Sequence, residues 1–177
     1  MKKLKVTIIG YGGMGSFHAK LIQANPEVEV HGIFDILESR QQAGEADGYS
    51  AYASLEEALN DACADTILIA TPNDVHKEIA VQALEAGKHV ICEKPVTLNS
   101  EELSEIMHTA KEHERVFMVH QNRRWDSDFQ MVKDLYENRK IGEVFHIESR
   151  VQGANGIPGD WRHLKAHGGG MLLDWGV

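Results

Sequence analysis

LKVTIIGYGGMG, residues 4–15, decides the fold: an apolar run breaks directly into glycines at the spacing G-x-G-x-x-G, at Gly10, Gly12 and Gly15. Val6, Ile8 and Ile9 read as a buried parallel strand, and Ser16 to Asn25 as the helix that follows. The exposed N–H groups and partial positive charge of a helix N-terminus make it a site for a pyrophosphate. Gly10 permits the tight turn, Gly12 the close approach of a ligand, and Gly15 the packing of helix on strand. Tyr11, Gly13 and Met14 belong to the same cofactor-binding turn.

The helix is closed by Asn25-Pro26, and VEVHGIF, residues 28–34, reads as a second strand. It ends on Asp35, twenty residues beyond Gly15, where an acid is placed to hydrogen-bond the adenosine ribose hydroxyls. Asp35 is equally suited to cap the helix that follows, and both roles can hold at once. A carboxylate there repels a 2′-phosphate, so NAD is favoured over NADP, although Arg40 is near enough in sequence to bind a phosphate.

With 177 residues, 42% of them hydrophobic, the chain can bury one sizeable core but is short for two complete domains. A net charge of −9 argues against a general nucleic-acid or membrane-surface partner. No apolar run approaches the ~20 residues needed to span a bilayer, and the apolar segment after Met1-Lys-Lys-Leu-Lys5 is too short for a signal peptide. A cytoplasmic location is expected. Cys63 and Cys92 lie beside or within predicted buried strands and read as reduced core thiols.

Further along, a helix at 37–46 and a brief strand at 49–53 precede Ser54-Leu-Glu-Glu57, a capping box that opens a helix over 55–62. DTILIA, residues 65–70, reads as a strand buried on both faces. It stops at Thr71-Pro72-Asn73, with Asn73 suited to cap a helix that Gly87 ends. KHVIC (88–92), a helix over 100–114 and RVFMV (115–119) complete the pattern. Six strand signals alternating with helices predict an α/β fold, a Rossmann-type doubly wound parallel sheet over residues 1–122.

Beyond His120 the pattern changes. A helix over 127–139, with Phe129, Val132, Leu135 and Tyr136 inward, leads into EVFHIESRVQG (143–153), an alternating and so half-exposed strand. Residues 155–170 are loop-like, and MLLDWGV begins a helix. Residues 123–177 therefore read as the start of an incomplete α+β second domain.

In a doubly wound sheet, ligands bind outside the carboxyl ends of the strands. The glycines, Asp35, Thr71-Pro72-Asn73, Glu93-Lys94-Pro95 and His120-Gln121-Asn122-Arg123 all fall at such ends. The proline after Lys94 biases the Lys94 backbone to the extended region. Together with Ala70 to His76 and Gly168 to Gly176, these motifs resemble, in order along the whole chain, the glucose–fructose oxidoreductase / inositol dehydrogenase / rhizopine-catabolism family.

The resemblance implies hydride transfer between a sugar or polyol hydroxyl carbon and a nicotinamide cofactor. It assigns Lys94 and Asp174 to catalysis and substrate contact, Glu93 to the nicotinamide ribose, and Asn73 and His76 to the cofactor path. Trp161 and Arg162 resemble a family segment that reaches back over the nicotinamide. Asn122 and Arg123 lie where cofactor and substrate contacts are expected. In the family a His follows the Asp by four residues, which puts it just past Val177, so the 177-residue chain is expected to be C-terminally truncated and to bind nucleotide better than it turns over substrate. The full-length form is expected to be a homo-oligomer.

Two other functions compete: a glycosidase that uses bound NAD transiently, and a non-catalytic NAD-binding sensor. His163 and His167 have the spacing of a metal pair but lack a third ligand, so no metal is assigned. His108 and His113 read as solvated residues of a surface helix.

Overall fold

The computed structural model describes residues 3–152 and 159–176. Residues 4–120 form β1 (Leu4–Ile9), α1 (Gly13–Gln23), β2 (Val28–Phe34), α2 (Glu38–Ala46), α3 (Leu55–Asn60), β3 (Thr66–Ile69), α4 (His76–Glu85), β4 (His89–Glu93), α5 (Ser100–Glu112) and β5 (Phe117–His120). The strands pair in parallel in the order β2-β1-β3-β4-β5. The chain thus winds outward from β1 in one direction and then, from β3, in the other. That reversal opens a crevice at the carboxyl ends of β1 and β3.

Both faces of the sheet's centre are covered, which is why β3 is buried at every residue rather than at alternate ones. Ile9, Ile67, Ile69, Val90 and Cys92 pack on one side with Leu59, Ile79, Leu84 and Ile106 from the helices α3 to α5. Val6, Ile8 and Leu68 face the other way, against Ala19 of α1 and Tyr11.

Several elements depart from the sequence reading. The strand expected over 49–53 is reduced to a single bridge, Ala51 to Ile33 at the outer edge of β2, so the regular sheet has five strands. Residue 31 is skipped in the β1–β2 register, which pairs Val6 with Val30 and Thr7 with Gly32. A bulge of this kind kinks and twists a strand locally and limits what can pair beyond it. The first helix starts at Gly13, inside the glycine motif, three residues earlier than expected. Ser54 does cap α3, accepting from Glu57 N at 3.1 Å, while the Glu57 carboxylate reaches back to Ala53 N at 2.9 Å.

Asn73 is not the cap of the next helix. It opens a short 3₁₀ turn, Asn73–Val75, and α4 begins at His76 with no side-chain cap. Cys63 is exposed after α3, whereas Cys92 is buried, and both are free.

After β5 come a 3₁₀ turn at Asn122–Trp125, α6 (Ser127–Glu137), 3₁₀ turns at Trp161–His163 and Lys165–His167, and α7 (Met171–Trp175). Three of the four α6 residues expected inward are not covered: Phe129, Val132 and Tyr136 are 44%, 50% and 55% exposed, and Leu135 is half-buried. An apolar stripe is buried only where another element meets it, and here it shares an open groove with Ile141, Val144 and Ile147. Residues 143–152 follow as irregular chain instead of the expected strand, and residue 153 lies outside the described residues. Alternation alone cannot hold a strand without a partner.

Candidate functional site

The glycine turn is built by close packing below and openness above. Gly10 has a φ of +92°, and a Cβ there would stand 2.7 Å from the Ala70 carbonyl oxygen. Its N–H donates to Phe34 O at 2.7 Å, tying the end of β1 to the end of β2. A Cβ on Gly15 would overlap the Gly10 carbonyl, whereas Gly12 and Gly13 have nothing within 4 Å of that position. The first turn of α1 carries no acidic residue, and its N-cap has no side-chain bond. An uncapped helix N-terminus facing open space fits a pyrophosphate. Thr71, at the neighbouring end of β3, adds a buried hydroxyl with no hydrogen-bond partner among the described residues.

Asp35 lies at the end of β2 beside this cradle. One carboxylate oxygen accepts from Tyr11 N at 2.8 Å and the other from Leu37 N at 2.9 Å. It therefore joins the glycine turn to the entry of α2, whose N-cap is Leu37. Arg40 is solvent-exposed on α2. Tyr11 contributes only backbone to the turn, because its ring is buried and its hydroxyl donates to Asp47 at 2.8 Å. Burial first, and then that hydrogen bond, push its phenol well above the ordinary range.

At the other end of the crevice, the residue after β4 is Lys94. Its Nζ donates to the Asp174 carbonyl at 2.6 Å and to Asp174 Oδ1 at 2.8 Å. Arg162 Nε stands 3.8 Å from the other Asp174 oxygen. The Trp175 ring lies 4.9 Å from the Arg123 guanidinium and 6.0 Å from Lys94 Nζ. Arg162 also stacks on Trp161 at 4.6 Å, and Asn122 is half-buried just after β5.

Two further contacts fasten residues 160–176 across the strand ends. Asn73 Nδ2 donates to Gly168 O at 3.0 Å, and His167 Nδ1 lies 2.9 Å from Asp74 Oδ2. Residues 73, 94, 123, 162 and 174, separated by up to 101 positions, are thereby brought together. The three glycines at 168–170 are a packed turn here: Gly168, with φ +68°, is buried against Asn73 and Leu98.

His76 does not line an open path. It is fully buried, with Nδ1 3.0 Å from Pro95 O and Nε2 2.9 Å from Thr71 O. Burial lowers its pKa, and the ring braces the Thr71 and Lys94-Pro95 turns from beneath.

One cluster was missed in the sequence. Glu93 is buried, and its Oε1 is met by His18 Nε2 at 2.6 Å and by His120 Nδ1 at 3.0 Å. Burial pushes the carboxyl up, but hydrogen bonds from His120 and His18 outweigh it and hold it down to about 2. His18 stands three residues beyond Gly15, on the α1 face that meets the sheet; that spacing was the available signal.

Because the folded pKa of Glu93 lies below its ordinary value of 4.5, the unfolded state binds more protons between those limits. Stability from this carboxylate is present above 4.5 and is lost as pH falls toward about 2. Urea midpoints measured from pH 5 down to 2 should fall more steeply for the wild-type chain than for Glu93→Gln; parallel curves would show that Glu93 is not held ionised.

Sheet order, glycine cradle and acid at the end of β2 define a Rossmann-fold dinucleotide-binding protein. Comparison with known proteins narrows the class. A family model described as oxidoreductase family, NAD-binding Rossmann fold, matches residues 4–121, and one described as GFO/IDH/MocA C-terminal domain matches residues 129–177. The chain belongs to this oxidoreductase family.

Among its relatives, the oxidoreductase YdgJ of Escherichia coli is 37% identical, over 97% of this chain and 50% of that protein. The scyllo-inositol 2-dehydrogenase (NADP(+)) IolW of Bacillus subtilis is 32% identical, over 98% of this chain and 49% of that protein. The crystal structure of an NAD-binding protein from Listeria innocua superposes with a TM-score of 0.97 at 61% identity, covering 99% of this chain and 52% of that one. The chain thus spans about half the length of the curated relatives it matches. No helix among the described residues is long and apolar enough to cross a membrane.

Proposed function

We propose that this chain supplies the cofactor-binding half, and the Lys94–Asp174 pair, of a nicotinamide-dependent dehydrogenase that oxidises a sugar or polyol hydroxyl. The observation that carries the reading is the pair itself. Lys94 sits at the carboxyl end of β4, across the crevice from the glycine cradle, with Nζ 2.8 Å from Asp174 Oδ1 and Arg162 beyond it.

The glycine turn and the α1 N-terminus hold the pyrophosphate, and Asp35 receives the adenosine ribose. When bound, the cofactor supplies the hydride acceptor or donor. Lys94 then exchanges the hydroxyl proton, oriented by Asp174, while Arg123, Trp161 and Arg162 close over the reacting end. The scyllo-inositol dehydrogenase among the relatives supports a polyol as substrate. That relative is named for NADP, whereas the Asp35 carboxylate disfavours a 2′-phosphate.

Binding titrations with NAD and NADP, followed by an assay of NADH formation across a panel of inositols and aldoses, test this reading. NAD should bind more tightly than NADP, and a cyclic polyol should drive NADH formation when the complete protein is assayed. Binding without turnover on any alcohol would instead favour a sensor. A retained cofactor with no net reduction would favour a glycosidase.

A further inference from the structure

We infer that His31, Asp61 and Cys63 form a Zn²⁺-binding site, separate from the cofactor crevice, that ties the outer strand β2 to the loop between α3 and β3. Their ligating atoms, an imidazole nitrogen, a carboxylate oxygen and a sulfur, all lie within 4.8 Å of one another. His31 Nε2 stands 3.1 Å from Asp61 Oδ2. Two ligands each about 2.0 Å from a tetrahedral ion are about 3.3 Å apart, so this pair is already spaced to share one.

The fold brings the three side chains together by separate devices. The residue skipped in the β1–β2 register is His31, and a bulge commonly serves to re-aim a side chain in this way. Cys63 reads in the sequence as a core thiol, yet it is exposed and free. An exposed thiol can turn about its Cα–Cβ bond to close on an ion.

Asp61, between them, is oriented from both sides. Its Oδ1 accepts from Cys63 N at 2.7 Å, and its Oδ2 accepts from the Tyr52 hydroxyl at 2.7 Å. Lys88, itself buried, donates from Nζ to the carbonyls of Asp61 and Ala64. The backbone of the loop is thus fixed before any ion arrives, which reduces the ordering cost of binding.

The donor set selects the ion. Nitrogen, oxygen and sulfur together suit Zn²⁺, whereas Mg²⁺ and Ca²⁺ call for oxygen ligands. Three protein ligands leave a fourth position for water. Binding takes the His31 Nε2 lone pair and the Cys63 sulfur as thiolate, whose proton passes to solvent.

The location makes the role structural. Val6 pairs with Val30 on one side and with Thr66 on the other, so His31 lies near the level of the amino end of β3. The crevice with Asp35 and Lys94 is at the carboxyl ends. A bound ion therefore cross-links β2, at the edge of the sheet, to the approach to β3, and its binding energy adds to folding.

The test is titration of the reduced 177-residue chain with Co²⁺ and then with Zn²⁺. Co²⁺ should give an intense near-ultraviolet sulfur-to-cobalt band, and Zn²⁺ should abolish it. Cys63→Ala should remove the band. Both Cys63→Ala and His31→Gln should weaken Zn²⁺ binding by about 100-fold or more, and Tyr52→Phe, which keeps all three ligands but frees Asp61 on one side, by about 10- to 100-fold. Zn²⁺ should raise the melting temperature of the wild-type chain and not that of Cys63→Ala, whose metal-free melting temperature should match the wild type. Absence of the band in the wild-type chain overturns the inference. So does Zn²⁺ affinity that is unchanged in either Cys63→Ala or His31→Gln, the result expected if the ion sits instead on His18, Glu93 and His120, whose ligating atoms also cluster within 4.8 Å.

Discussion

Replacing Lys94 with alanine should lower the proposed polyol oxidation by about 10²- to 10⁴-fold, the range for loss of a positioned acid or base. The NAD dissociation constant should move by about threefold or less, since binding and turnover report different interactions. The structure supplies the reason for the split. Lys94 Nζ spends its hydrogen bonds on Asp174, at 2.6 and 2.8 Å, and not on the glycine cradle or Asp35, which would carry the phosphates and adenosine ribose.

The loss should be nearly as large for Asp174→Asn, which keeps the carbonyl contact but removes the carboxylate between Lys94 and Arg162. Steady-state rates and cofactor titrations on the same preparations decide the matter. Equal losses in turnover and NAD affinity would mean that Lys94 only helps to hold the cofactor.

Gly15→Ala should be close to lethal for the fold, and Gly13→Ala should leave the fold standing. A Cβ at Gly15 would overlap the Gly10 carbonyl, which is backbone and cannot swing aside, while Gly13 has open space there. The overlap can be relieved only by moving α1 off the sheet, away from the contacts of Ala19 and His18. A destabilisation of roughly 3 kcal/mol or more is expected, among the large values that backbone strain produces. It should appear as a loss of NAD binding together with a marked fall in the melting temperature.

Gly13→Ala places a methyl group in the open cradle and should weaken NAD binding with little change in melting temperature. A soluble, fully stable Gly15→Ala chain would contradict the packing described for the turn.

The alternating strands and helices between residues 4 and 120 were legible because two strong periodic signals agree. Continuous apolar runs such as TILI imply strands covered on both faces, and glycine, proline and Asn-Pro breaks separate them from helices with apolar spacing. Convergence of Gly10, Asp35, Asn73, Lys94 and Asn122 on one crevice then follows from topology, since every one of them is at the carboxyl end of a parallel strand. The reading failed where a local pattern depended on a partner. The alternation in residues 143–152 and the apolar stripe of α6 describe surfaces ready to pack, and neither finds a covering element among the described residues. Asn73 looked like a helix cap because its side chain suits one, yet its amide is drawn away by Gly168, 95 residues later.

The sequence by itself therefore determined the parallel α/β architecture, the glycine cradle and the acid at the end of β2, because these rest on local spacing and on rules that hold for every sheet of this type, while the family was recognised from the resemblance of its motifs. Only the tertiary structure decided that Lys94 meets Asp174, that His167 meets Asp74, that Tyr11 turns inward to Asp47, and that His18 and His120 close on Glu93. Those pairings join residues 27 to 93 positions apart. No periodicity reaches across such distances; the register of β4 with β5 and the packing of α1 on the sheet bring the side chains together.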